Sequence, residues 1–153
     1  MTRAFRSQSM ITVLTSLTFC YSAQAQTQQP FNGSVASATL SVNVGDCFEE
    51  EDFGAAGSGV PLGQFSAIGH QFVSYCAQPD IEGDVTFTDE NGDELSIHYT
   101  GSRLDPSTFI CEMSATSGTG RYDGATVTAT LLIENYDLDH PFDGTFDGTI
   151  FFP

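Results

Sequence analysis

Lysine and tryptophan are absent from this 153-residue chain, and its positive charge is limited to four arginines set against 20 aspartates and glutamates. Two of the four, Arg3 and Arg6, fall in the first 25 residues, whereas every carboxylate lies at or beyond Asp46. Residues 26–153 therefore carry a formal charge of −18 at pH 7. Such a surface repels phosphate backbones and anionic lipid headgroups, which excludes nucleic acid as a partner and disfavours membrane adsorption. Cationic partners, divalent ions or a salty medium remain compatible, as does the plain role of keeping a β-rich surface soluble and its strand edges unpaired. A run of about 20 apolar residues, the length needed to span a membrane, is also missing. No segment of ten or more residues has the periodicity and caps of an amphipathic helix.

The first 25 residues combine a basic start at Arg3 and Arg6, a short apolar stretch over residues 10–19, and the small-x-small site Ala23, Gln24, Ala25. That pattern marks a cleaved signal peptide and predicts a secreted or periplasmic protein beginning near Gln26. Cys20 follows the bulky Phe19, which argues against lipoprotein processing. What remains is one domain's length, enough to bury about two thirds of its unfolded surface. Residues 26–32 are expected to form a flexible mature N-terminus and residues 33–153 the folded domain. Export permits a disulfide, and Cys47, Cys76 and Cys111 offer one bridge with one thiol left over. Their spacing does not say which pair forms. The leftover thiol lacks the electropositive setting that a nucleophilic cysteine needs.

Along the domain the dominant signal is alternation of apolar and polar residues. Leu40, Val42 and Val44 share one face of a first strand, which reads as half buried. The acidic run Glu49, Glu50, Glu51, Asp52 and the glycines Gly54, Gly57 and Gly59 then predict a solvated loop over residues 46–59. A β-compatible stretch follows over residues 61–76, with Gly69 as the place for a bend or bulge. The clearest element is a hairpin around Asn91 and Gly92, two residues that tolerate positive φ. It turns Val85, Phe87, Leu95, Ile97 and Tyr99 inward and Thr86, Thr88, Ser96, His98 and Thr100 outward. Further strands are read over residues 108–115, 126–133 and 142–152, the last built on a doubled FDGT. Seven or eight strands with short turns and no helix predict an all-β antiparallel barrel or sandwich.

Three blocks carry a resemblance: GSGVPLGQF (57–65), then FTDENGDEL (87–95) with YTG (99–101), then GTGRYDGAT (118–126). Their order and spacing resemble bacterial secreted proteins with an allene oxide cyclase-like barrel, related to the plant dirigent proteins, over roughly residues 33–152. The resemblance implies an eight-stranded antiparallel β-barrel of the calycin, allene oxide cyclase-like type with an apolar interior. It also implies homo-oligomeric assembly, as in the plant relatives. Those relatives cyclise a fatty-acid epoxide or steer the coupling of phenoxy radicals inside the barrel. Val127 stands where the last block commonly continues with glycine, and Tyr122 replaces the more usual phenylalanine. The relatives' catalytic carboxylates have no numbered counterpart in these blocks, so the resemblance transfers a fold and no activity.

Arg121 reads either as a structural ion pair or as an anchor for an anionic ligand at the barrel mouth, with Tyr122 beside it and Phe87 and Tyr99 as interior lining. The glycine-rich block around it joins two strands and opens no helix, so it is no phosphate cradle. Residues 89–93 place oxygen side chains at alternate positions, as calcium loops do. Glu94 and Thr100, however, stand where such a loop needs glycine and glutamate, and the segment reads as a turn. His70, His98 and His140 are too dispersed for zinc, and neither a metal nor a cofactor is expected. Glu112 and Glu134 lie within strand patterns and qualify as acid or base only if they point inward; alternation turns Glu112 outward. The functional expectation is a secreted, non-catalytic barrel that binds a small apolar ligand or a partner. The alternative is an isomerase or cyclase acting on a lipid-derived or phenolic substrate, which needs an open cavity with a buried polar group. A membrane-embedded barrel is disfavoured, because the outward positions are threonine, serine, histidine and aspartate.

Overall fold

The structure is a computed structural model and describes residues 26–136 and 142–153. The expected signal peptide, Cys20 and His140 lie outside the described residues. Eight strands follow in order: β1 (Thr27–Val44), β2 (Phe48–Val60), β3 (Gly63–Ser74), β4 (Ile81–Asp89), β5 (Glu94–Asp105), β6 (Thr108–Gly118), β7 (Thr126–Glu134) and β8 (Asp143–Phe152). Each pairs antiparallel with the next, and β8 returns to β1, closing the barrel. Closure leaves no open edge on the sheet. Among the described residues the only helical turn is a short 3-10 segment, Gly120–Tyr122, in the β6–β7 connection.

Alternation decides what faces in. The interior takes Phe65, Val85, Phe87, Leu95, Ile97, Tyr99, Phe109, Val127 and Phe146, all of which the sequence pattern had turned inward. Glu112 and Glu134 lie on the exposed face. One end of the barrel, where β2–β3, β4–β5 and β6–β7 connect, is plugged by Phe31, Leu62, Leu95, Tyr122 and Ile150, each with no exposed surface. At the opposite end lie the β1–β2, β3–β4, β5–β6 and β7–β8 connections. A disulfide joins Cys47 to Cys76 there, pinning two of the connections together, and Cys111 is free and buried. Such a bridge persists in oxidising compartments.

Four expectations are corrected. The polar N-terminal stretch is not loose: Thr27 pairs with Phe152 and Pro30 with Thr149, because closure requires a partner for β8 and ladder hydrogen bonds are indifferent to side-chain polarity. The predicted acidic loop is strand β2, continuously paired with β3 from Phe48 to Gly59. Leu40, Val42 and Val44 are 67%, 45% and 57% exposed. A bulge between Thr39 and Ser41 displaces Leu40, and β1 runs on past Ala36, its last pairing with β8, so no wall covers its end. Gly69 is no bulge, since the β2–β3 and β3–β4 registers pass through it unbroken. It makes room for the Phe53 ring, which a Cβ at this position would overlap.

Candidate functional site

At the plugged end Arg121 is paired through one nitrogen. Its Nη2 lies 2.6 Å from Asp89 Oδ2 and donates to the carbonyl oxygens of Pro61 (2.8 Å) and Leu62 (3.5 Å). Tyr122 donates its hydroxyl to the same Asp89 oxygen at 3.3 Å, and Asp89 Oδ1 accepts the backbone N–H groups of Asn91 and Asp93 at 2.8 and 3.1 Å. Burial pushes the Asp89 carboxyl up, but the two backbone donors, the Arg121 charge and the Tyr122 hydroxyl outweigh it, and its pKa is lowered. Gly120 holds φ +52 with the Asp93 carboxylate packed where a Cβ would stand. This corner is a brace: the donors of Arg121 close three connections onto one another.

The opposite end holds what sequence reasoning missed. Strand alternation splits the acidic run, leaving Glu50 and Asp52 outside and turning Glu49 and Glu51 into the barrel at 1% and 4% exposure. A buried carboxylate is costly unless hydrogen-bonded. Glu49 accepts the hydroxyls of Tyr75 and Tyr136, each at 2.8 Å. Glu51 accepts Thr39 Oγ1 at 2.5 Å and Gln71 Nε2 at 2.6 Å, with Tyr136 Oη at 3.4 Å. The chain continues inward, since Gln71 Oε1 accepts the Tyr99 hydroxyl at 2.9 Å. Among the described residues no cation forms a salt bridge with either glutamate. The phenols are held as donors: burial, the largest cause, raises Tyr75 and Tyr136, and the hydrogen bond to Glu49 adds to it in both, while the Arg103 guanidinium beside Tyr75 acts against the rise there without cancelling it. Burial likewise raises Tyr99 well above its usual range.

Tyr75 links this network to the surface. It is 45% exposed, yet its hydroxyl reaches Glu49, so one phenol separates a buried carboxylate from solvent. Arg103 lies over the same ring, its Cζ 5.0 Å from the Tyr75 centroid and 4.7 Å from that of Phe109. Below the network the barrel is nearly full. A cavity of about 20 Å³ remains, lined by Phe53, Val85, Phe87, Tyr99, Phe142 and Phe146 among others. That is room for roughly one water-sized sphere and far less than a ligand needs. Two larger hollows, about 400 and 570 Å³, are open grooves on the outer wall around Thr100, Glu112 and Thr130.

Of the residues singled out from sequence, Arg121 and Tyr122 thus sit together at the plugged end, while Phe87 and Tyr99 line the interior and only Tyr99 touches the carboxylate network. His70 and His98 pair with Asp52 and Asp84 on the outer wall at 2.9 and 3.0 Å, and no group of three metal-binding side chains forms among the described residues. The missed glutamates had one available signal, the alternation Glu49, Glu51, Phe53, which consecutive acidic residues conceal.

Neither a family model nor a curated protein matches the sequence. Among solved structures, the pterocarpan synthase dirigent protein GePTS1 matches over 97% of this chain and 99% of its own, with a TM-score of 0.55 and 14% identity. The fold is dirigent-like. At that identity the likeness concerns fold alone, and the chemistry of this dirigent-like barrel has to be read from its own side chains. No described helix is long and apolar enough to cross a membrane.

Proposed function

We propose that this dirigent-like barrel is an exported binding module for a small apolar ligand bearing an aromatic hydroxyl, received at the end that holds Glu49 and Glu51. The observation that carries this is a pair of buried carboxylates held by neutral donors, one of which, Tyr75, is a half-exposed phenol. The Tyr75 hydroxyl occupies the place that a ligand hydroxyl takes when the side chain swings out. Two glutamates without a cation, in a protein of strongly negative charge, repel carboxylate ligands and favour neutral hydrogen-bond donors. A fatty-acid carboxylate anchored on Arg121 is disfavoured by the same negative charge and because that guanidinium is already paired with Asp89.

The second reading, an isomerase or cyclase on a phenolic substrate, draws on the same residues. Glu49 and the hydroxyl of Tyr136, 2.8 Å apart, have the types and spacing of an acid–base pair. The neighbour of like fold is named a pterocarpan synthase. The full interior leaves no volume for an enclosed molecule, so in either reading the small molecule sits at the Glu49 end and not in the packed interior. Titration of the purified protein with 4-methylphenol and with its methyl ether, followed by NMR, tests the proposal. The phenol is expected to bind at least about tenfold more tightly, a difference of about 1.4 kcal/mol, the worth of one hydrogen bond to a charged acceptor. Equal binding of the two probes, or binding of neither, would overturn it.

A further inference from the structure

The two arginines after residue 25 differ in a way the sequence does not show. Arg121 Nη2 is paired with Asp89 and the Pro61 carbonyl, but Arg103 Nη2 is buried and has no hydrogen-bond partner among the described residues. Its Nη1 donates to the carbonyl of Pro106 at 3.3 Å, and its backbone N–H donates to Asp80 Oδ2 at 2.8 Å, which fixes the start of the side chain. The guanidinium is clasped between the rings of Tyr75 and Phe109. A buried donor left unpartnered costs free energy comparable to a lost hydrogen bond, more when the group is charged. Native structures retain such donors rarely. Here the orphan lies against the ring of Tyr75, whose hydroxyl is on Glu49, so a charged donor and a buried acceptor flank one aromatic side chain.

From this we infer that Arg103 is a specificity-determining residue of the ligand site, its Nη2 donating to a carbonyl oxygen of the bound aromatic ligand. The inference rests on the phenol-binding reading above and adds a second point of recognition. Glu49 and Glu51 take the hydroxyl, and Arg103, whose guanidinium lies over the ring of Tyr75, takes a carbonyl oxygen of the same ligand. The ligand class is accordingly a hydroxylated aromatic carbonyl compound, uncharged before it binds. A cationic donor beside a carbonyl oxygen is stronger than a neutral one, and its planar fork fixes the plane of the ligand.

Two probes of similar size test this, 4-hydroxybenzaldehyde and 4-methylphenol, which share the hydroxyl and differ in the carbonyl. Each is titrated into the wild-type protein, Arg103→Met and Arg121→Met, and the arginine side-chain NMR signals are followed. Wild type should prefer the aldehyde by about tenfold or more, with the Arg103 signal shifting and that of Arg121 unmoved. Arg103→Met, which keeps the aliphatic stem, should bring the preference down to about twofold or less while still binding the phenol. Should Arg103→Met fail to fold, the wild-type signals decide alone. A preference unchanged in Arg103→Met, or an unmoved Arg103 signal in wild type, overturns the inference and leaves phenol binding standing. If neither probe binds the wild type, the underlying reading falls and the inference with it.

Discussion

Removing one hydroxyl at each end of the barrel separates the carboxylate network from the brace. Tyr136→Phe deletes the donor that reaches Glu49 at 2.8 Å and lies 3.4 Å from Glu51; its one proton serves the nearer oxygen, and Glu49 is left with Tyr75 alone. A hydrogen bond to a charged group contributes about 1.5–3 kcal/mol, so the expected loss is about 2 kcal/mol. Tyr122→Phe deletes a bond of 3.3 Å to Asp89, which keeps Arg121 and two backbone donors. Its expected loss is about 0.5 kcal/mol, the lower end for a long bond to an acceptor already satisfied. Both phenols are buried, at 6% and 0% exposure, and both substitutions leave the ring in place, so packing cancels from the comparison.

Urea unfolding at neutral pH provides the measurement. With a slope of about 1.5 kcal/mol/M for a domain of this size, the midpoint of Tyr136→Phe should lie about 1 M below that of Tyr122→Phe, at unchanged slope. Equal midpoints, or a Tyr136→Phe loss under about 0.5 kcal/mol, would mean that Glu49 does not depend on its phenol donors. The carboxylate network would then not be the organised acceptor described above.

Four further outcomes follow from the same geometry. Burial raises the pKa of all four tyrosines after residue 25, that of Tyr122 to about 12. A folded-state value above the unfolded value of about 10 means that their contribution to stability is whole below pH 10 and lost as pH rises toward and past 12. Tyrosinate absorbance should therefore appear only together with unfolding, and a smooth titration near pH 10 in folded protein would contradict this. Cys111, raised to about 12 by burial, should resist alkylation until the chain unfolds. Intact mass should show Cys47 and Cys76 joined until reduced, and breaking that bridge, across a separation of 29 residues, should cost about 3.5 kcal/mol. Arg121→Met should lower stability by about 2 kcal/mol by stripping buried Asp89 of its charged donor, while phenol binding stays within about twofold of wild type. A loss of binding there without a loss of stability would return Arg121 to the ligand site.

The barrel was readable because its inward faces are chemically uniform. From β4 to β7 apolar residues alternate with threonine, serine and acids, and the turn at Asn91 and Gly92 sets the β4–β5 hairpin without help from distant contacts. Reading failed where alternation is hidden. In Glu49, Glu50, Glu51, Asp52 all four residues look solvated, and only pairing with Phe72, Gln71 and their neighbours on β3 decides which two turn inward. Tyr136, set among polar residues, carries no local signal for an acceptor on a strand more than 80 positions away. The contrast between the two arginines was hidden for a related reason. A glycine-rich setting drew notice to Arg121, whereas the orphaned donor of Arg103 follows from the packing of Tyr75 and Phe109, which come together from the ends of β3 and β6.

A crystal structure of the protein grown with 4-methylphenol puts the binding site itself to the test. If Glu49 and Glu51 receive the ligand, the phenol oxygen will lie within about 3 Å of one of their carboxylate oxygens, with the Tyr75 hydroxyl displaced. A phenol seated only in the outer-wall grooves near Thr100 and Glu112, with Tyr75 still bonded to Glu49, would contradict it.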